Sequence, residues 1–298
     1  MSDISPARIA GAPISWGVCE VPGWGRQLPA TRVLGEMRSL GLQATEFGPD
    51  GFLPADPAAK AAFLNSFGLQ AVGGFLPVVL HDPAHDPLAE IDRFAEACLA
   101  SGAGVVVLAA VTGLDGYDVR PELDHAQWKT LLGNLDAASE HLAGRGLLGV
   151  LHPHLGTLVE SGADVRKVLE GAAISLCIDT GHLVAAGADP VAITLSAPER
   201  VGHVHLKDVD AAQAARVVAG ELAFSDAVAQ GLWKVLGEGS VDLPAMIAAL
   251  EQAGYQGWYV LEQDLMLPED GTDGTGQEPV EDVRRCLEWL RQELGGER

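Results

Sequence analysis

The stretch Val105-Val106-Val107-Leu108-Ala109-Ala110 is apolar at every position. A strand covered on one face alternates apolar with polar, so a short unbroken run points to a strand buried on both faces of a parallel sheet. Working outward, comparable runs recur at residues 8–14, 43–47, 69–75, 147–152, 174–179, 201–205 and 257–262, and with 104–110 they make eight candidate strands. Helix-like segments fall between them, at 29–40, 58–67, 87–101, 126–143, 165–170, 243–253 and 279–294. In the last, Val280, Val283, Cys286, Leu287 and Leu290 recur at mostly three or four residues and form one apolar stripe. Strands alternating with helices imply βαβ units, and eight repeats imply an α/β protein built as a single closed (β/α)8 TIM barrel. A doubly wound sheet is the competing architecture, but no GxGxxG opens a helix after an early strand.

Residues 208–233 exceed an ordinary connection, which suggests a lid-like insertion after strand seven. No Pro- or Ser-rich linker divides the chain, so 1–298 is expected as one domain, with GTDGTG near Gly271 as a flexible loop before the final helix.

The 298 residues carry 19 Lys+Arg against 41 Asp+Glu, a formal charge of −22. A nucleic-acid or anionic-membrane partner needs a basic footprint that this balance lacks. With 48% hydrophobic and 20% charged residues, the acidity sits on a globular body. The four cysteines (Cys19, Cys98, Cys177, Cys286) form no CxxC pair, so neither a disulfide framework nor a thiolate zinc site is expected. The first residues lack a basic stretch followed by an apolar run, and nowhere do about 18 apolar residues follow one another. A cytoplasmic protein without a membrane partner is the expectation, and a homo-oligomer through the outer helices is compatible with it.

In such a barrel the active site lies at the C-terminal ends of the strands. Strand five ends in His152-Pro153-His154, followed by a loop to Glu160. Strand six ends in Asp179-Thr180-Gly181-His182, strand seven in His203-Val204-His205-Leu206-Lys207-Asp208, and strand eight in Glu262-Gln263-Asp264. Neighbouring strands lie about 4.8 Å apart, so these groups can converge. Carboxylates and imidazoles without a thiolate suit a hard or borderline divalent cation: Mn²⁺ or Co²⁺ first, with Mg²⁺, Fe²⁺ or Zn²⁺ as alternatives. His203 and His205 share a side of their strand, and His205, nearer the mouth, is the expected ligand. A single histidine or aspartate at a strand end is commonly a packing or capping residue; four consecutive strand ends doing so by chance is improbable. Glu46 on strand two either lines the pocket or caps. Trp16 and Phe52 are candidate walls of a sugar site, with core packing as the alternative.

The segments HPHLGTLVES, DTGHLVAAGADP, VGHVHLKDV, LGEGSVD and GYQGWYVLEQD, in this order, resemble the sugar-phosphate isomerase/epimerase-like (xylose isomerase-like) barrels, and within them the inosose dehydratase branch. The resemblance runs from APISWG near the start to EQD on strand eight. It implies one divalent metal at the barrel mouth, with Asp179, His205 and Glu262 at the positions of the group's ligands. Many relatives end strand five with Glu where this chain has His152, so either His152 or Glu160 supplies the fourth, and Glu160 is favoured here. The stretch VCEVPGWG after ISWG departs from the Asn-containing segment usual in the branch.

The implied activity is a metal-dependent hydro-lyase of inositol catabolism, dehydrating a cyclic polyol ketone. The alternative is a ketose or sugar isomerase or epimerase using the same enediolate chemistry. Glu262 or Glu160 is expected as base, or a histidine in their place because a metal-bound carboxylate is a weak base, with His154, His182 and Lys207 as acid or oxyanion partners. Trp16, Glu46, His152, His154, His182 and Lys207 are the expected contacts to a small polyol or sugar substrate. A DNA-cleaving relative is disfavoured, because His81 and His85 alone stand near the ends of strands one to three, both in a loop.

Overall fold

A computed structural model describes residues 8–269 and 278–294. The GTDGTG segment lies outside these described residues. Among the described residues the strands are β1 (Ile9–Gly11), β2 (Ala44–Thr45), β3 (Gln70–Ala71), β4 (Gly73–Val78), β5 (Val105–Ala110), β6 (Leu148–Leu151), β7 (Ser175–Asp179), β8 (Val201–Leu206), β9 (Asp208–Val209), β10 (Trp233–Lys234) and β11 (Tyr259–Leu261). Nine of them form one parallel sheet in the order β3-β2-β1-β11-β8-β7-β6-β5-β4.

The two end strands, β3 and β4, are consecutive in the chain and separated by Val72 alone, so the sheet closes through a single bent strand. Val72 N–H donates to the Thr45 carbonyl on one side, while its own carbonyl accepts from Gly104 and Val105 on the other. A side chain at Gly73 would land on the Val105 carbonyl oxygen, which is why the bend needs glycine there. The expected third strand, 69–75, is therefore two pieces and runs three residues further.

β5 is buried throughout, as its composition predicts. Val105 and Val107 face inward with Val150 and Cys177, whereas Val106, Leu108 and Ala110 join the larger core under the helices. Several helices begin on side-chain caps. Asp56, Asp124, Asp189, Asp210 and Asp242 each accept a backbone N–H in the first turn of the helix that follows. Part of the acidic excess thus offsets unpaired N–H groups at positive helix ends. The final helix, Pro279–Leu294, buries Val283, Cys286, Leu287 and Leu290 along its stripe.

Two short helices after β7, Thr180–Ala185 and Pro190–Ser196, are absent from the sequence reading. They are brief, interrupted by Gly187, and too short to show an apolar period. The stretch expected as a lid-like insertion folds as an antiparallel ribbon of β9 and β10 enclosing helices Ala211–Val218 and Phe224–Ala229. Its apolar side, including Val209, Ala214, Phe224 and Trp233, packs with Trp24 and Leu155.

Candidate active site

The C-terminal ends of β6, β7, β8 and β11 meet. One donor atom each from His152, Asp179, His205 and Glu262 lies within 4.8 Å of the others. Asp179 and His205 are paired in register on β7 and β8, and His205 faces Val260 on β11, which puts Glu262 one step above. Asp179 Oδ2 is 3.4 Å from His152 Nε2 and 3.8 Å from His205 Nδ1; Glu262 Oε2 is 3.2 Å from that same Nδ1. Asp179 uses its other oxygen to accept the His182 N–H, so one carboxylate both caps a helix and faces the cluster.

Glu160 stands apart from this group. Its carboxylate accepts the Gly156 N–H at 2.7 Å and pairs with Arg120 at 3.3 Å, so Glu160 is not among the converging donors, whereas His152, the alternative, is. Trp16 is also not at the cavity: it is fully buried and its indole N–H donates to Glu36 at 2.7 Å. Phe52 packs beside the large core and does not line the cavity. His182 is buried below the surface, with Nδ1 accepting from Leu155 N–H at 3.4 Å and Nε2 3.4 Å from Asp264. It supports His154, whose ring centroid is 3.8 Å away, and has no open face for substrate. Gly181 lies within a helix, where its missing side chain makes room for Lys207 and Trp233, both 2.7 Å from where a Cβ would stand. Glu238 in the Gly237-Glu238-Gly239 turn points outward and pairs with Arg285.

Glu46, His152, His154, His205, Lys207 and Glu262 line one cavity of about 610 Å³. Glu46 Oε1 lies 3.1 Å from His205 Nε2 and 2.8 Å from His203 Nε2. A carboxylate there selects the Nε2–H tautomer of His205 and leaves Nδ1 as a lone-pair donor at the cluster. Burial would raise the Glu46 carboxyl, but the His205 and His203 imidazoles hold it well below the usual range.

Lys207, which is buried, reaches Asp179 at 3.2 Å, Glu262 at 3.1 Å and Asp264 at 2.8 Å. Burial opposes its charge, yet those three carboxylates push its basicity above the ordinary lysine range, so it is a permanent ammonium. His154 donates from Nδ1 to the Leu155 carbonyl at 2.7 Å, which leaves Nε2 as the basic nitrogen. Burial, reinforced by the neighbouring His182, His152 and Lys207, holds His154 well below the usual histidine range, and His182 is lowered mainly by burial and Lys207. Both are neutral imidazoles at pH 7.

These residues fit a divalent cation. Asp179 Oδ2 and His205 Nδ1 are buried without a hydrogen-bond partner, and both face the cluster. Three carboxylates, Asp179, Glu262 and Asp264, converge on the one Lys207 ammonium while a fourth, Glu46, meets only His203 and His205, which leaves negative charge in excess. Burial opposes protonation of His205, but Cys177, Glu262 and Glu46 together push it up, a second sign of the same demand for positive charge. Two nitrogens and two carboxylate oxygens suit a borderline or hard ion.

Several lining residues escaped the sequence reading. Asp264 was legible as the period-two partner of Glu262. Trp24, Phe75, Tyr117 and Phe224 sit on the cavity wall; Trp24 and Tyr117 come from loops, where no periodicity marks them, Phe75 from β4 and Phe224 from the start of a short helix. Tyr117 lies against His154, with centroids 4.6 Å apart, and its hydroxyl donates to Glu20 at 2.5 Å.

A parallel barrel whose later strands end in clustered carboxylates and imidazoles defines the class. Residues 34–293 match the family described as the xylose isomerase-like TIM barrel, and the chain belongs to that family. It is 34% identical over 275 residues to the rhizopine catabolism protein MocC of Rhizobium meliloti, covering 86% of this chain and 81% of that one. It is 31% identical over 274 residues to the inosose dehydratase of Geobacillus kaustophilus, covering 88% of each. Among solved structures, the IOLI protein with a binding zinc atom superposes with a TM-score of 0.69 at 13% identity, over 97% of this chain and 98% of that one.

Proposed function

We propose that this protein is a divalent-metal-dependent hydro-lyase that removes water from a cyclic polyol ketone of the inosose type. The observation that carries the reading is the neutral imidazole of His154 in the same cavity as the four-donor set His152, Asp179, His205 and Glu262. The inosose dehydratase at 31% identity over most of both chains supports the substrate class.

His152, Asp179, His205 and Glu262 would hold a divalent cation, which would supply Lewis acidity to the substrate ketone. His154 takes the proton from the carbon beside the carbonyl through Nε2, since Nδ1–H is committed to Leu155. The proton it gains is the one the departing β-hydroxyl requires, so the same imidazole can return it and water leaves with no other reactant. Lys207, locked as an ammonium, holds Asp179, Glu262 and Asp264 in place and stabilises negative charge developing on oxygen. Trp24, Tyr117 and Phe224 give the C–H face of a ring an apolar wall and exclude water from the proton transfer.

The test is incubation of the purified protein with scyllo-inosose and Mn²⁺ or Co²⁺, following the unsaturated diketone by absorbance. Growth of that absorbance, abolished by a chelator, is expected. Deuterium uptake from D₂O without loss of water would instead identify an isomerase or epimerase. No conversion with any divalent metal would reject the assignment.

A further inference from the structure

One layer below the rim donors, Cys177 lies two residues before Asp179 on β7, in register with His203 on β8. Its sulfur and one nitrogen each of His152 and His205 lie within 4.8 Å of one another, and all three residues are buried. The thiol is free of any disulfide. Nδ1 of His152 and Nδ1 of His205 are both buried without a hydrogen-bond partner. The apolar side chains packed with Cys177 are Val105, Val107, Val150 and Phe75.

A thiolate and two imidazoles form a softer donor set than the carboxylates above, and such sets select thiophilic ions. Tetrahedral coordination needs ligand atoms about 3.5 Å apart, a contraction that side-chain rotation can supply. We propose that Cys177, His152 and His205 form a second cation site, for a thiophilic ion such as Cd²⁺, Zn²⁺ or Cu⁺, that excludes the rim cation because both sites use the same two imidazoles. On binding, the Cys177 thiol loses its proton to solvent and the thiolate neutralises one of the ion's charges. The inference rests on the deep donor set and needs no particular substrate. The consequence is a protein whose metal occupancy depends on the hardness of the ion: an oxygen-seeking ion sits high with Asp179 and Glu262, and a sulfur-seeking ion sits deep.

The experiment titrates the metal-free full-length protein with Cd²⁺ and follows the sulfur-to-cadmium charge-transfer absorption in the ultraviolet. A band saturating at one equivalent is expected. It should vanish in Cys177→Ser and Cys177→Ala with Cd²⁺ affinity lower by at least about tenfold, and persist in Asp179→Asn, whose carboxylate belongs to the rim set alone. Far-UV circular dichroism identifies whichever cysteine variant folds. Added Cd²⁺ should also release bound Mn²⁺, seen as the growing electron paramagnetic resonance signal of the free ion. A band that survives in the folded cysteine variant, or Cd²⁺ and Mn²⁺ bound together, would overturn the proposal. If the band is present but no inosose is dehydrated, the functional reading fails and this site stands.

Discussion

Nε2 of His205 lies 3.1 Å from Oε1 of Glu46, across the barrel from the strand that carries the histidine. The same oxygen meets His203 at 2.8 Å, so one carboxylate fixes the tautomer of two imidazoles. Replacing it with an amide removes the charge that orients His205. Glu46→Gln is expected to lower divalent-metal affinity by about 10–100-fold. Calorimetric titration with Mn²⁺ or Co²⁺ checks this, and unchanged affinity would reduce Glu46 to a packing residue.

His154 is placed as a proton carrier and not as a metal ligand. His154→Ala should therefore lower kcat by about 10²–10⁴-fold while the purified variant binds as much metal as the parent. Metal analysis alongside turnover separates the two outcomes. Loss of metal with loss of activity would move His154 into the donor set.

Gly181 has no side chain to take part in the chemistry, yet the place of its absent Cβ is filled by Lys207 and Trp233, each 2.7 Å away. Gly181→Ala must push apart two side chains of a packed interior. The expected cost is about 1–3 kcal/mol, read as a lower denaturation midpoint, with weaker substrate turnover because Lys207 is displaced. A midpoint equal to that of the parent would show that the Lys207–Trp233 contact gives way without strain.

Away from the site, Asp164 joins Ser161 in a reciprocal helix cap and pairs with Arg120 at 2.6 Å. Burial would raise its carboxyl, but the Ser161 hydrogen bonds and the Arg120 and Lys167 charges hold it below the ordinary value. A carboxyl lowered by folding contributes stability above its unfolded value of about 3.9 and loses it as pH falls through the folded value. Asp164→Asn should be less stable than the parent by about 1–2 kcal/mol at pH 7, with the gap closing as the buffer is taken below pH 4. Denaturant unfolding at several pH values tests the sign, and a gap that widens in acid would refute it.

Strand order and the location of the site were legible because both rest on local chemistry. Eight short apolar runs separated by helical periods leave few topologies, and polar groups at the C-terminal ends of successive parallel strands have one place to go. Asp179, His205 and Glu262 could be selected on that ground together with the family resemblance. Glu160 shows where the reading failed. Its charge suited a cation, but a loop residue has no period or register to aim it, and in space Arg120 and the Gly156 N–H claim it. Trp16 failed for the complementary reason: an aromatic near a strand end is equally suited to core and cavity, and the Glu36 carboxylate decides for the core.

What the amino-acid order determined unaided is the alternating architecture, the acidic character, and the rim on which chemistry can occur, since each follows from the nature of neighbouring residues along the chain. Tertiary structure alone decided that His152 lies with Asp179, His205 and Glu262, that Glu46 meets His205 from another part of the barrel, and that Tyr117 and Phe224 wall the cavity. Those relations join residues up to 159 positions apart, and only closure of the sheet brings such side chains to within a hydrogen bond of each other.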